Sequence, residues 1–253
     1  MPPAVVLITG ASSGIGEALA RAYARPGATL FLSGRDLARL VSVAETCRAR
    51  GARVEAQVVD VADRTAMAAW IAAAEATAPL DLVVANAGIS AGTGLLEESA
   101  DQARRIFAVN LDGVLNTVLP ALPALRARRR GQIAIVSSLA SFRGLAGAPA
   151  YAASKGAIRL WGEGLRGAVA ADGIGVSVIC PGFVTTRMTA NNRFPMPMLM
   201  DSDRAAALIV AGLARNRGRI AFPLPMRALT WLFAALPDAL ADSIARRLPK
   251  KGG

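Results

Sequence analysis

The sequence predicts an α/β protein: a doubly wound parallel sheet of about seven strands, with helices on both faces, in a single domain. Short apolar, β-branched runs such as residues 4–9 and 82–84 alternate with segments long enough to form helices. At 253 residues, with 53% hydrophobic and 19% charged residues, the chain can bury one large core. Ligands of such sheets bind at the carboxyl ends of the strands, so we expect the functional residues there.

The composition excludes several kinds of chemistry. A chain without histidine has no Ser-His-Asp or Cys-His nucleophile and no His-ligated metal site, so acid/base chemistry falls to Tyr, Lys or carboxylates. We expect no metal site. Cys47 and Cys180 form no disulfide or zinc pattern, and residues 1–3 lack a signal-type basic region, which predicts a cytoplasmic protein. The net charge of +11 comes mostly from Arg spread along the chain, without a basic, aromatic-rich stripe, so we expect no nucleic-acid partner.

The first element is a strand over residues 4–9, followed by a glycine-rich turn and a helix to about Arg25. The turn contains Gly10, Ser12, Ser13, Gly14, Ile15 and Gly16. Backbone N–H groups and the helix dipole at such a turn attract a phosphate, and glycine lets the backbone approach it. The spacing Gly-x-x-x-Gly-x-Gly differs from the common dinucleotide fingerprint, and a purely structural loop is the alternative.

The second strand, over residues 29–33, ends where a dinucleotide-binding protein carries its ribose-binding acidic residue. Ser33 and Gly34 occupy those places, and Arg35 follows. An Arg there can pair with a ribose 2′-phosphate, which predicts that NADP(H) is preferred while NAD(H) remains possible. The alternative is that Arg35 faces solvent.

The next elements continue the alternation. A third strand over residues 53–59 ends at Asp60 and Val61, and Asp63 begins a helix to about Thr77. The fourth strand ends at Asn86, Ala87 and Gly88. Residues 101–130 predict one long helix containing Asn110. A fifth strand ends at Ser138, a helix spans residues 150–170, and a sixth strand over residues 175–180 ends at Pro181 and Gly182.

Tyr151 and Lys155 lie four residues apart in the helix, so their side chains share one face. A neighbouring ammonium favours phenolate, so we expect Lys155 to lower the pKa of Tyr151 and to make it an acid/base group. Lys155 is the only lysine before Lys250, in a chain that otherwise uses Arg. The Ser138 hydroxyl, at the end of the neighbouring strand, could hydrogen-bond a substrate carbonyl.

Together these motifs resemble the short-chain dehydrogenase/reductase family, in its compact single-domain branch. The matching pieces are Thr9-Gly10-x-x-x-Gly14-x-Gly16, Asn86-Ala87-Gly88, Asn110, Ser138, Tyr151-x-x-x-Lys155 and Pro181-Gly182. They occur in the family's order and cover residues 4 to about 190. The resemblance implies a Rossmann-like fold and an NAD(P)-dependent oxidoreductase.

The resemblance also implies roles for individual residues. The turn from Gly10 to Gly16 would hold the pyrophosphate and the adenosine ribose. Asp60 and Val61 would contact adenine, and Asn86, Ala87 and Gly88 would line the ribose region. Pro181, Gly182, Val184 and Thr186 would set the nicotinamide, and Tyr151 and Lys155 would bond its ribose. Tyr151 would donate the proton in ketone reduction, Ser138 would polarise the carbonyl, and Asn110 would hold a relay water.

The part of the chain after Thr186 carries fewer matches. We expect residues 4–186 to form the cofactor-binding and catalytic core, 187–216 a substrate lid region and 217–253 a variable apolar segment. The Met-, Pro- and Asn-rich run over residues 187–200, which includes residues 194–200, suggests a lipophilic or bulky carbonyl substrate, since thioethers adapt to irregular apolar shapes; a mobile loop packed on a neighbouring helix is the alternative. Residues 223–253 could form a lid, a subunit contact or a peripheral membrane contact.

The sequence therefore predicts an NADP(H)-preferring oxidoreductase that interconverts a ketone or aldehyde and an alcohol. The alternatives are an NAD(H)-dependent alcohol dehydrogenase of the same family and a nicotinamide-binding redox regulator without turnover. The resemblance further implies a homodimer or homotetramer joined through the helices over residues 101–130 and 151–170.

Overall fold

The computed structural model describes residues 3–90, 98–190, 192 and 194–245. Its centre is one parallel sheet of seven strands in the order β3-β2-β1-β4-β5-β6-β7. The strands are β1 Val5–Thr9, β2 Thr29–Gly34, β3 Arg53–Val58, β4 Leu82–Ala85, β5 Gly131–Val136, β6 Ile174–Pro181 and β7 Arg219–Phe222. Strand order reverses between β1 and β4, which is where a doubly wound sheet opens a crevice for ligands. The predicted fold class is confirmed.

Helices cover both faces of this sheet. They are α1 Gly14–Tyr23, α2 Leu37–Ala49, α3 Arg64–Thr77, α4 Ala100–Phe107, α5 Gly113–Val118, α6 Leu122–Ala127, α7 Pro149–Ala168, α8 Arg187–Ala190, α9 Ser202–Ala214, α10 Leu224–Ala235 and α11 Asp238–Ala245. One apolar cluster joins the sheet to Leu19, Leu40 and Ile209 on one face. A second cluster joins the other face to Trp70 and Ile158. Burial on both faces explains why the strands read as continuous apolar runs.

Four helices begin at a side-chain cap that the sequence provides. Asp36, Asp63, Ser99 and Asp201 each accept a hydrogen bond from a backbone N–H in the first turn of α2, α3, α4 and α9 respectively. Such caps satisfy donors that have no partner inside the helix. Helix α1 differs, because its N-cap residue Ser13 makes no side-chain cap bond.

Residues 100–127 form one helical stretch, close to the predicted 101–130, but the stretch is not a regular α-helix throughout. The segment is divided into α4, a π turn over Ala108–Asp112, α5 and α6. The π turn accommodates Asn110, whose buried side chain bonds to other segments. Pro120, which lacks an N–H, lies in the turn between α5 and α6, and Pro123 lies in the first turn of α6. Within the described chain, residues 100–127 are the one helical stretch apolar enough to cross a membrane, but 50% of its most apolar window is buried, as in a core helix.

Candidate active site

A cavity of about 1560 Å³ runs along the carboxyl edge of the sheet. Segments that follow all seven strands line it: Asp60 follows β3, Arg35 β2, Gly10 β1, Asn86 β4, Ser138 β5, Gly182 β6 and Met226 β7. Of the predicted site residues, all line the cavity except Gly16 and Asn110. The sheet topology therefore brings together residues from distant parts of the sequence, as its strand order requires.

The glycine-rich turn forms a cradle of exposed backbone N–H groups at the start of α1. Gly10 and Gly14 adopt positive φ angles of 66° and 59°, which favour glycine. A Cβ on Gly10 would lie 2.8 Å from Ala87 Cα, and one on Gly14 would lie 2.8 Å from Thr186 Cγ2. Because Ser13 leaves the first N–H groups of α1 without a side-chain cap, this helix start can accept a phosphate.

Gly16 serves packing and does not face the cavity. A Cβ there would lie 2.5 Å from Asn86 Nδ2, so only glycine lets α1 approach the end of β4. Asn86 Nδ2 in turn donates to the carbonyls of Thr9, at 2.9 Å, and Gly10, at 3.1 Å. Asn86 thus fastens the glycine-rich turn to β4 while still lining the cavity.

Two arginines line the end of the cavity next to β2. Arg35 is exposed and forms no hydrogen bond or ion pair with any residue that the structure describes. Arg39 pairs with Asp36 at 2.7 Å, and its Nε is buried without a partner within the described chain. Arg39 was not identified from the sequence. The available signal was its position one helical turn after Asp36, close in sequence to Arg35. The arrangement gives this end of the cavity the charge and the donors that fit a phosphate.

Ser138, Tyr151 and Lys155 all line the cavity. The hydroxyls of Ser138 and Tyr151 are hydrogen bonded to each other. The Ser138 Oγ also accepts from the Ala140 N–H at 3.1 Å, which begins a 3-10 turn over Leu139–Phe142. The serine side chain is therefore held by its own backbone and by the phenol.

The pKa of Tyr151 is raised overall in this structure, opposite to the expected direction, and the contribution of Lys155 stays a prediction. Burial raises the pKa of the Tyr151 phenol, and the hydrogen bond with Ser138 offsets part of that rise. Lys155 Nζ donates to the Val136 carbonyl at 2.8 Å, and burial lowers the pKa of its ammonium to about 8. The phenol is consequently protonated at neutral pH, and most of the Lys155 population carries its charge.

Helix α7 is fixed to the end of β5 by polar contacts. Ser137 Oγ donates to the Lys155 carbonyl at 2.8 Å, next to the bond from Lys155 Nζ to Val136. Gly88 completes the surroundings of the ammonium, because a Cβ there would lie 3.1 Å from Lys155 Nζ. These contacts fix the orientation of Lys155 and Tyr151 on α7.

Asn110 is fully buried and connects three segments. Its Nδ2 donates to the Ile89 carbonyl at 2.9 Å and to Ser154 Oγ at 3.0 Å, and its Oδ1 accepts from the Ile89 N–H at 2.8 Å. Both amide hydrogens are thus used within the protein. The side chain joins the segment after β4 to α7, and its role in a water relay stays a prediction.

The far part of the cavity is mostly apolar. The run over residues 194–200 contributes Phe194, Pro195 and Pro197, whereas the methionines that line the cavity are Met188 and Met226. Met188 belongs to the Met-, Pro- and Asn-rich run that begins at Arg187, so this run contributes one thioether to the cavity wall, while Met200 is buried and Met198 is exposed. Helices α10 and α11 close this part with Met226, Leu229, Thr230, Leu232, Phe233 and Ile244.

The charges on the cavity wall are mainly positive. Among the described lining residues, the cations are Arg35, Arg39, Arg143, Lys155 and Arg187, and the anions are Asp36 and Asp60. The cavity therefore attracts an anionic ligand. The chemical requirements of a pyrophosphate and a second phosphate are met at the end near α1 and β2, and those of an apolar group at the end near α10.

Comparison with known proteins agrees with this geometry. A family model described as short chain dehydrogenase matches residues 4–196. An uncharacterized oxidoreductase of Myxococcus xanthus is 41% identical over 96% of this chain and 96% of that protein. The ketoacyl reductase HetN of Nostoc is 31% identical over 84% of this chain and 75% of that protein. A solved short-chain dehydrogenase of Sphingobium yanoikuyae in complex with NADPH superposes with a TM-score of 0.80, at 26% identity, over 94% of this chain and 98% of that one.

Proposed function

Because the chain belongs to the short-chain dehydrogenase family and is an NAD(P)-dependent oxidoreductase of that family, we propose that it reduces a ketone or aldehyde to an alcohol with NADPH. Tyr151 is the proton donor in this proposal. The observation that carries it is the hydrogen bond between the hydroxyls of Ser138 and Tyr151 on the wall of the cavity, which Lys155 also lines.

The protonation state of the site favours the reductive direction. Burial raises the pKa of Tyr151, so at neutral pH the phenol holds the proton that an alkoxide needs. Ser138 donates a hydrogen bond to the substrate carbonyl oxygen and stabilises the negative charge that develops there. NADPH, when bound, supplies the hydride that adds to the carbonyl carbon. The carbonyl π electrons move to oxygen, and that oxygen takes the Tyr151 proton, which leaves a phenolate that solvent reprotonates.

The residues that would hold the cofactor follow from the cradle and the charges. The uncapped start of α1, at Ser13 and Gly14, fits the pyrophosphate. Lys155 would bond the nicotinamide ribose and, as a cation, stabilise the Tyr151 phenolate after proton transfer. Arg35 and Arg39 support a preference for NADPH, because both line the cavity where a 2′-phosphate would follow β2.

The apolar end of the cavity supports a lipophilic or bulky substrate. Aromatic and aliphatic side chains line it, among them Phe142, Phe183, Phe194, Leu229 and Phe233. In this proposal, residues 187–216 form the lid region, and the described part of the C-terminal segment, up to residue 245, closes the far wall. A long-chain ketoacyl thioester fits these requirements, and the Nostoc relative is named a ketoacyl reductase.

A carbonyl panel tests the proposal directly. NADPH oxidation is followed with carbonyls of increasing chain length, from a small polar ketone to medium and long β-ketoacyl thioesters. We expect kcat/KM to rise with chain length, because each buried CH₂ contributes about 0.8 kcal/mol, roughly fourfold. Faster turnover of small polar carbonyls than of long-chain or cyclic ones would contradict the substrate class.

We further propose a cytoplasmic homo-oligomer. Free, buried thiols at Cys47 and Cys180 support a reducing compartment. Exposed apolar side chains on the helices expected at the subunit contact, Phe107, Leu119 and Leu160, support self-association. Light scattering tests this, because a monomer at micromolar concentration would contradict it.

A further inference from the structure

Arg143 joins the segment that carries Ser138 to the helix pair α10–α11. It follows directly after the 3-10 turn Leu139–Phe142. Its Nη1 donates to three carbonyls at the end of α10: Phe233 at 3.3 Å, Ala234 at 3.5 Å and Leu236 at 3.0 Å. The carbonyls at the end of a helix lack partners within it and carry the negative end of the dipole, so a guanidinium is well suited to bind them.

The same guanidinium makes two further contacts with the helix pair. Nη2 donates to Asp238 Oδ1, at the start of α11, at 2.9 Å. The Cζ atom lies 5.4 Å from the centroid of the Phe233 ring, which lines the cavity. The Arg143 side chain is only 21% exposed, whereas Asp238 is 96% exposed, so the carbonyl and ring contacts dominate over the ion pair.

The other end of this connection is fixed to the body of the domain. Phe142, next to Arg143, packs against the guanidinium groups of Arg159 in α7, at 4.7 Å, and Arg219 in β7, at 5.4 Å. Both arginines pair with Glu163. The segment from Ser138 to Arg143 is therefore held at its start by the Ser138 cap and at its end by Phe142, and it offers a rigid point of attachment.

Helix α10 depends on this attachment, because apolar burial holds it only weakly. The structure describes every residue of α10, and none of them is buried. Its cavity side nevertheless forms the far wall through Met226, Leu229 and Phe233. Displacing the end of α10 would move Phe233 and Leu236 away from the space where the apolar part of a substrate lies.

We propose that Arg143 is a positioning residue that holds α10–α11 over the apolar end of the cavity and thereby sets which carbonyl substrates fit. This inference rests on the proposed function. Arg143 contacts α10–α11 and leaves the hydride and proton transfers to other groups, so its loss should affect KM for large substrates and leave kcat largely unchanged.

The experiment compares Arg143→Ala with the full-length wild type, using NADPH with one small ketone and one long-chain β-ketoacyl thioester. We expect KM for the long substrate to rise about tenfold or more, with kcat within about threefold and KM for the small ketone little changed. Amide hydrogen exchange over residues 224–236 should become at least about tenfold faster, since the end of α10 loses its partner. Arg104→Ala is the matched control, because the Arg104 side chain is 81% exposed on α4.

Two further variants separate the contacts. Asp238→Ala removes the exposed ion pair but keeps the carbonyl bonds, so we expect less than about a threefold change in KM. Arg143→Met keeps the aliphatic stem but loses the charge and the donors. It should therefore show the changes in KM and in hydrogen exchange expected for Arg143→Ala, and it replaces Arg143→Ala if the alanine variant does not fold.

The outcomes distinguish this inference from the proposed function. An Arg143→Met variant with wild-type exchange in α10 and an unchanged KM ratio overturns the inference. An equal fall in kcat for both substrates also overturns it, because Arg143 would then act on the chemistry. If the wild type turns over no carbonyl, the proposed function is overturned. Hydrogen exchange in α10 then still tests the inference, because exchange that is unchanged in Arg143→Met would show that Arg143 does not hold α10 in place.

Discussion

Replacing Arg35 and Arg39 tests the predicted preference for NADPH, and the two variants should behave differently. Arg35 is exposed and pairs with no described residue, so it can bind a 2′-phosphate without breaking a contact. Arg39 is already paired with Asp36, whose Oδ1 caps α2 by accepting from the Arg39 N–H at 3.0 Å. Removing the Arg39 side chain therefore also uncovers a carboxylate at the rim of the cavity.

The size of each effect follows from these contacts. A hydrogen bond to a charged group contributes about 1.5–3 kcal/mol. Because Arg35 is exposed to solvent, screening by salt reduces that value. We expect Arg35→Ala to weaken NADPH binding about tenfold, which corresponds to about 1.4 kcal/mol, and to leave NADH binding unchanged. Arg39→Ala should weaken NADPH binding by about the same factor and strengthen NADH binding slightly, because the freed Asp36 repels a phosphate and accepts a hydrogen bond from a 2′-hydroxyl.

The assay is a titration of each variant with NADPH and NADH by calorimetry, at one fixed low salt concentration and again at a high one. NADH is the internal control for folding, and Arg104→Ala is the control for a lost surface charge. The NADPH advantage should shrink at high salt, since exposed charges are screened. Equal losses for both cofactors, or no loss for either, would refute the assignment of this end of the cavity to the 2′-phosphate.

The remaining predictions concern the turn and the pH dependence. Gly14→Ala should weaken NADPH binding at least about tenfold, because the φ of 59° at Gly14 disfavours a side chain and the added Cβ would meet Thr186 at 2.8 Å. The control is Gly164→Ala, which has open space around the added Cβ and should bind NADPH normally. Calorimetry measures both affinities. NADPH affinity should fall as pH rises through about 8, the pKa of the free Lys155 ammonium, since the charged form exists below that pH and is lost above it. Lys155→Met should remove this step, and an affinity that stays level from pH 6.5 to about 9.5 in the wild type would contradict the role of the ammonium.

The sequence was sufficient for the sheet and for most of the cavity wall because both depend on local patterns. Apolar runs that end in Gly10, Asn86 or Ser138 predict strands, and parallel strands bring their carboxyl ends to one edge. Which residues line the cavity then follows from the topology, without any knowledge of distances.

The parts that sequence did not predict depend on contacts between distant segments. Asn110 lies in a π turn within its helix and bonds to Ile89 and Ser154, and no local pattern encodes those partners. Spacing alone gave the wrong direction for the pKa of Tyr151, because burial, which depends on packing between distant segments, raises that pKa. Arg143 reads as an ordinary loop residue until α10 is placed beside it.

The most direct test of the account is the Tyr151→Phe variant, measured for both turnover and NADPH binding with the best carbonyl from the panel. Removing one hydroxyl takes away the proton donor but keeps the ring, so the account predicts a loss in kcat of about 10²–10⁴-fold. NADPH affinity should stay within about threefold of the wild type, because the turn, the arginines and Lys155 are unchanged. Turnover within tenfold of the wild type, or an equal collapse of NADPH binding, would contradict the central claim that Tyr151 is the acid.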